Sequence, residues 1–151
     1  MNKKIVSEKF NLSSYTTIKV GGVAEYFAEP RSIDEFSYLI KWANLHKQRC
    51  QIIGAGSNLL INNIFIKGLV ICTKKMKSLK IEPSSGIVEA EAGVMLPTLS
   101  NALAKNGLQG GEWAVGIPGT LGGAIYMNAG TGGISLAKNL ISVKVINNKT
   151  N

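Results

Sequence analysis

Ten of the 17 glycines in this 151-residue chain fall within residues 107–133. Each glycine costs roughly 0.5–1 kcal/mol relative to alanine inside a helix or strand, so no long regular element is expected there. Two readings remain for the densest part, Ala114-Val115-Gly116-Ile117-Pro118-Gly119-Thr120-Leu121-Gly122-Gly123-Ala124-Ile125-Tyr126-Met127-Asn128-Ala129-Gly130. Small residues allow a short helix to pack tightly on a sheet. Alternatively, glycines at 116, 119, 122, 123 and 130 clear side chains from a surface where a flat or extended ligand needs backbone contact, with Thr120 and Asn128 supplying polar groups. So high a density is a large entropic burden for packing alone, which favours the ligand.

The rest of the chain has the material for one compact domain. It is 45% hydrophobic and 17% charged, which argues against disorder, and a chain of this length can bury roughly 70% of its unfolded surface. The N-terminus carries lysines with no apolar segment behind them, and no run approaches the ~20 apolar residues of a membrane span. Neither secretion nor membrane insertion is expected. Cys50 and Cys72 form no CxxC pair and His46 is the sole histidine, so neither a disulfide framework nor a metal site is expected, and a reducing cytoplasm fits.

The net charge of +8 belongs to one half: residues 1–80 hold 13 basic and 5 acidic side chains, residues 81–151 hold 4 of each. The densest patch is Lys74, Lys75, Lys77 and Lys80. Nucleic-acid surfaces favour arginine and interleaved aromatic rings. Here Arg31 and Arg49 are the only arginines and no aromatic residue interleaves with the patch. The lysines read as a solvated face, and no nucleic-acid partner is expected.

Patterning predicts an α+β domain rather than a regular βαβ alternation. Residues 23–29 read as a strand closed by Pro30. Ser32 with Glu35 makes a capping box for a helix whose Ile33, Phe36, Leu39, Ile40 and Ala43 recur at helical spacing, ending near His46. Residues 49–53 and 68–72 read as short buried strands, and residues 79–82 and 87–91 as a hairpin about Pro83-Ser84-Ser85-Gly86. A second helix is predicted from Pro97 to Asn106, stopped by Gly107. Residues 139–146 alternate Ile141, Val143 and Val145 with polar residues, which reads as a half-buried strand leading into a turn at Asn147-Asn148. A turn calls for a returning strand, so these residues are expected to be the front portion of a longer architecture.

Gly54-Ala55-Gly56-Ser57-Asn58 follows a predicted strand. Such a loop can cradle a pyrophosphate on its backbone amides, or it can be a plain strand-to-turn connection. It is neither the G-x-G-x-x-G dinucleotide fingerprint, whose third glycine falls on Leu59, nor a Walker A loop. Acid–base candidates are few. His46 reads as a surface residue at a helix end, Glu112 as solvated, Tyr126 as core, and both cysteines as small buried hydrophobes. The residues offer a place to hold something and little to transform it.

Four motifs in order, Tyr15-Thr16-Thr17-Ile18-Lys19-Val20-Gly21-Gly22, Gly54-Ala55-Gly56-Ser57-Asn58-Leu59-Leu60, Gly116-Ile117-Pro118-Gly119-Thr120-Leu121-Gly122-Gly123-Ala124 and Met127-Asn128-Ala129-Gly130, resemble the UDP-N-acetylenolpyruvoylglucosamine reductase family of bacterial cell-wall synthesis. The resemblance spans essentially the whole chain and about the first half of a family member. It implies a two-lobed FAD-binding domain of the vanillyl-alcohol-oxidase/p-cresol-methylhydroxylase type over residues 1–151, with the flavin domain proper from about residue 18 and the substrate-binding domain beyond Asn151. It further implies that Gly54, Ala55, Gly56, Ser57, Asn58 and Leu59 form the pyrophosphate turn. Gly116, Ile117, Pro118, Gly119, Thr120, Gly122, Gly123 and Asn128 would run along the adenosine and ribityl parts of FAD.

In that family NADPH reduces FAD, and the flavin N5 then passes hydride to UDP-N-acetylglucosamine enolpyruvate, giving UDP-N-acetylmuramate. An arginine in a Tyr-Arg-x-Ser motif, a serine and a glutamate complete the reaction. None of the three occurs at a matching place in these residues, and Ala129-Gly130-Thr131-Gly132-Gly133 departs from the tyrosine and acidic residue found in many members. The chain is therefore expected to hold the cofactor without turning over substrate. A stand-alone flavin module that borrows its catalytic groups is the alternative.

Overall fold

The computed structural model describes residues 5–62 and 64–147. Four strands make the first sheet: β1 (Val6–Asn11), β2 (Val23–Ala28), β3 (Cys50–Ile53) and β4 (Phe65–Cys72), in the spatial order β1-β2-β4-β3. β1 is antiparallel to β2, whereas β2 and β3 both run parallel to β4. The central strand β4 is apolar on both faces, as a covered parallel strand must be. Successive side chains alternate faces: Leu69 and Ile71 pack with Leu39, Ile40 and Ala43 of helix α1 (Ile33–Leu45), while Val70 and Cys72 pack with Leu12, Ala24, Phe27 and Ile53. Each such burial is worth about 1.5–3 kcal/mol, so β4 anchors this half.

α1 starts where its capping box is written. Ser32 Oγ accepts the Glu35 amide at 3.2 Å, while the Glu35 carboxylate accepts the Arg31 amide at 2.7 Å. The reciprocal bond thus falls one residue earlier than in the standard box. His46 caps the other end.

The second half has its own small core. A hairpin of β5 (Leu79–Glu82) and β6 (Ile87–Ala90) leads to α2 (Leu96–Lys105), then α3 (Leu121–Met127) and a minimal hairpin of β7 (Gly130–Thr131) and β8 (Ile134–Ser135). Leu96, Ala114, Leu121, Ala124 and Leu136 form the buried cluster, flanked by Trp113, Ile117 and Leu99.

Three expectations are corrected, and one element lies outside them. β1 is a strand the sequence did not announce. β3 is not a buried strand: at the sheet edge it has one neighbour, and Ile52 is 57% exposed. Residues 139–146 form no strand, with Ile141 and Val145 at 83% and 76% exposure, because a strand needs a ladder partner and no described residue pairs with them in a ladder. Ile146 still packs against the α1 side of the sheet. The expected turn reaches Asn148, outside the described residues. Tyr126 is not core but 89% exposed, since α3 turns Leu121 and Ala124 inward and a residue two positions past Ala124 points away.

The other predicted elements match to within a residue at each end, except that β4 begins three residues early, at Phe65, and contains a bulge; the β7–β8 hairpin lies outside the expectations. Ala24 faces Ile66 but Tyr26 faces Leu69, so Glu25 opposes both Lys67 and Gly68. Gly68 adopts φ +90°, its amide donates to the Glu25 carboxylate at 2.8 Å, and a Cβ there would stand 2.3 Å from the Arg49 carbonyl oxygen. Gly68→Ala is therefore expected to destabilise the chain by more than about 1 kcal/mol, read as a lowered melting temperature, whereas Gly86→Ser in the open hairpin turn should cost less.

Candidate functional site

The loop from residue 54 to 59 leaves β3 and is held by contacts from three other segments. Its carbonyls and one side chain make the bonds: Gly54 O accepts Cys72 Sγ at 3.5 Å, Gly56 O accepts the Thr17 amide at 3.2 Å, and Ser57 Oγ donates to Pro118 O at 2.9 Å. No amide of residues 55–58 donates in these bonds. Gly56 has φ +69°, and a Cβ there would lie 2.0 Å from the Tyr15 carbonyl oxygen. At Gly54 a Cβ would lie 2.1 Å from Thr120 Oγ1, and at Gly119 3.1 Å from Ser57 Oγ. Three of the four sequence motifs thus meet at one place, through contacts that only glycine permits.

The second glycine-rich segment is pinned from below. Leu96 N donates to Gly119 O at 3.0 Å, Leu121 N to Val94 O at 2.7 Å and Gly122 N to Ala92 O at 2.8 Å. Its glycines divide into two kinds. Gly122 is a packing residue, for a Cβ would stand 2.8 Å from that of Ala92. Gly116 is different: a Cβ there would meet nothing within 4 Å, and at exposed Gly123 it would meet only Thr120 Oγ1, at 3.6 Å. Nothing in the chain itself demands glycine at those two positions. Thr120 Oγ1 is buried without a hydrogen-bond partner among the described residues. Asn128 is the left-handed C-cap of α3 and its Oδ1 accepts the Ala137 amide at 3.2 Å; Ile117 packs in the second core, and Asn58 and Leu59 are exposed.

Beside the loop lies a cavity of about 620 Å³, bounded by Ser13, Ser14, Thr17 and Lys19 on one segment and by Ala55, Lys74 and Met95 on others. Met95 bridges to Thr120, so the cavity touches both halves of the fold. Its size lies within the range of small-ligand clefts. Hydroxyls, ammonium groups and nearby backbone amides suit an anion such as a diphosphate. Apart from Ala55, sequence reasoning gave these wall residues no role in binding a cofactor. The Tyr15-Thr16-Thr17 motif was a signal, but nothing local tied it to residues 40 positions later.

Proton-transfer groups are scarce. Burial pushes both the Cys50 and Cys72 thiols up, the reverse of an activated nucleophile. His46 is exposed, stacked on Trp42 and bonded through Nδ1 to the Trp42 carbonyl at 2.8 Å; Glu112 is exposed and accepts the Gly110 amide at 2.9 Å. Burial, and then the Glu29 carboxylate that accepts its hydroxyl, pushes Tyr15 up to about 12. The arrangement binds and orients. None of the described helices is long and apolar enough to cross a membrane.

Comparison with known proteins supplies the class. The FAD binding domain model matches residues 24–150, and the chain belongs to that family. Within it, the chain is 73% identical over 143 residues, 95% of its length, to the UDP-N-acetylenolpyruvoylglucosamine reductase of Prochlorococcus marinus subsp. pastoris, and 49% identical over 135 residues to that of a Synechococcus species. It spans 48% and 44% of those relatives, so just under half of their length. The crystal structure of UDP-N-acetylenolpyruvylglucosamine reductase from Thermus caldophilus superposes with a TM-score of 0.66 at 30% identity, over 87% of this chain and 44% of that one. The grass pollen allergen Phl p 4, with glucose dehydrogenase activity, shares the fold alone: TM-score 0.56, 12% identity, 70% of this chain and 25% of that one. The fold is thus the α+β FAD-binding domain of the vanillyl-alcohol-oxidase type, and the resemblance drawn from the four motifs holds.

Two outcomes test the geometry. Gly56→Ala is expected to lower stability by more than about 1 kcal/mol and to loosen the 54–59 loop, seen as faster amide exchange there. Tyr15 has its folded-state pKa raised, so its contribution to stability is full below about 10 and disappears as pH rises towards about 12. Tyr15→Phe should remove the last phenolate step at 295 nm and flatten the fall in melting temperature across that window.

Proposed function

We propose that residues 1–151 are the cofactor-holding part of a UDP-N-acetylmuramate-forming reductase. The observation that carries this is the meeting of the two glycine-rich segments at Ser57 and Pro118, beside an anion-suited cavity. The residues fit FAD. The amides of Ala55, Gly56, Ser57 and Asn58 would receive the pyrophosphate, with Gly54 and Leu59 framing the turn. The bare surfaces at Gly116 and Gly123, with Ile117, Pro118, Gly119, Thr120 and Gly122 beneath them, would take the extended remainder; Asn128 closes the end of α3 and shapes that wall. Close backbone contact and exclusion of side chains are what this chain contributes.

When bound, the flavin supplies a two-electron carrier between NADPH and the enolpyruvyl double bond of UDP-N-acetylglucosamine enolpyruvate. Developing negative charge in that reaction calls for an arginine or similar stabiliser and a proton donor. No Tyr-Arg-x-Ser motif occurs in the 151 residues. The groups that act on substrate belong to sequence of the kind found in the other half of the relatives.

The purified chain is expected to bind FAD, quenching flavin fluorescence and raising its melting temperature, yet to show no substrate-dependent oxidation of NADPH. Turnover by the chain alone would refute the division of labour, and failure of FAD to bind would refute the cofactor assignment. Gly123→Ala provides a sharper check. In the helix α3 this change is expected to leave the apo chain as stable or more stable, by up to about 1 kcal/mol, while weakening FAD binding several-fold.

A further inference from the structure

The cavity carries two cations that the cofactor reading does not by itself require. Lys19 and Lys74 come from different segments, one from the connection between β1 and β2, the other from the single helical turn after β4, and both line the same space as Ala55. Their neighbours explain why Lys74 stays available. Adjacent Lys75 is neutralised by Glu29, the same carboxylate that accepts the Tyr15 hydroxyl, whereas no carboxylate among the described residues pairs with Lys74. Lys74 Nζ instead sits 6.0 Å from the centroid of the Tyr15 ring. That ring is held by edge contacts to Phe10 at 5.5 Å and Phe27 at 4.8 Å. The platform under Lys74 is therefore held by packing, and no carboxylate among the described residues forms an ion pair with it.

Lys19 is held in a different way. It occupies the left-handed region at φ +55°, in a turn closed by its own amide donating to Thr16 O at 3.1 Å and by Thr16 Oγ1 donating to Val20 O at 2.7 Å. Glycine or asparagine would satisfy that turn with less strain. Lys9 and Lys47 share this left-handed conformation, but of the three only Lys19 lines the cavity.

We infer that Lys19 and Lys74 form a two-sided cationic clamp on the diphosphate of a dinucleotide seated against the 54–59 loop, and so select FAD over flavins without a diphosphate. This rests on the chain being a flavin holder. Two lysines lining one cavity beside the 54–59 loop match the two negative charges of a diphosphate, while an unphosphorylated flavin would leave them without counter-charges. Ser13, Ser14 and Thr17 add hydroxyl donors to the same wall.

The test uses the whole 151-residue chain, titrated with FAD and with riboflavin at about 20 and 200 mM salt and followed by flavin fluorescence. Lys19→Asn removes the charge while tolerating the left-handed turn, Lys74→Gln removes the other, and Lys77→Gln controls for net charge. Each clamp variant is expected to weaken FAD binding roughly tenfold. The double variant should lose most of the salt dependence, Lys77→Gln should match the wild type, and riboflavin binding should be equal throughout. Lys19→Arg should restore FAD affinity. Wild-type chain that binds no flavin overturns the cofactor reading itself. Wild-type chain that binds FAD, with both clamp variants equal to it or with Lys77→Gln equally weakened, overturns the clamp alone.

Discussion

The structure depends on two close approaches made by glycines of a single loop, one to main chain and one to a side chain. At Gly56 the loop after β3 lies against the Tyr15 carbonyl, and at Gly54 it lies against Thr120. A methyl group at either point would collide with an atom about 2 Å away, a separation that no rotamer relieves at Gly56 because the obstacle is main chain. These contacts bring the sheet-based half, the segment between β1 and β2, and the helical half to a common point. The cavity exists because they meet there.

A second organising feature is the sorting of charge. The lysine-rich patch is not one surface. Lys75 is taken by Glu29, Lys80 lies 3.8 Å from Glu89 across the β5–β6 hairpin, and Lys74 turns to the Tyr15 ring at the cavity wall. Exposed pairs such as Lys80 with Glu89 contribute little to stability. What distinguishes Lys74 is its surroundings, an aromatic platform and, among the described residues, no carboxylate in ion-pair contact with it. The glycines sort in the same manner: Gly122 serves packing against Ala92, whereas Gly116 and Gly123 face open space.

Much of the fold was legible because its signals are local. The helix from Ile33 is written in its capping residues and in the spacing of its apolar side chains, and the β5–β6 hairpin in Pro83-Ser84-Ser85-Gly86. The illegible parts are those whose state depends on a distant partner. β1 has weak alternation and becomes a strand by pairing with β2, where Phe10 stacks on Phe27 at 4.1 Å. Residues 139–146 have the stronger alternation and stay unpaired. Ile52 reads as core yet sits at an edge, because strand order is a property of the whole sheet. Tyr126 reads as core because α3 is apolar, but a helix of seven residues has room for only one inward face.

By itself the sequence determined the family: glycine-rich loops in a given order and spacing, with few titratable groups among them. Residue type and spacing set those features, and both survive in one dimension. Only the tertiary structure decided which glycines abut distant segments, that Lys74 lies over the Tyr15 ring, and that Ser13, Thr17, Lys19, Lys74 and Met95 share a wall with Ala55. Those are distances between residues far apart along the chain. They are set by strand order and by the close approach of backbones, which no local pattern encodes.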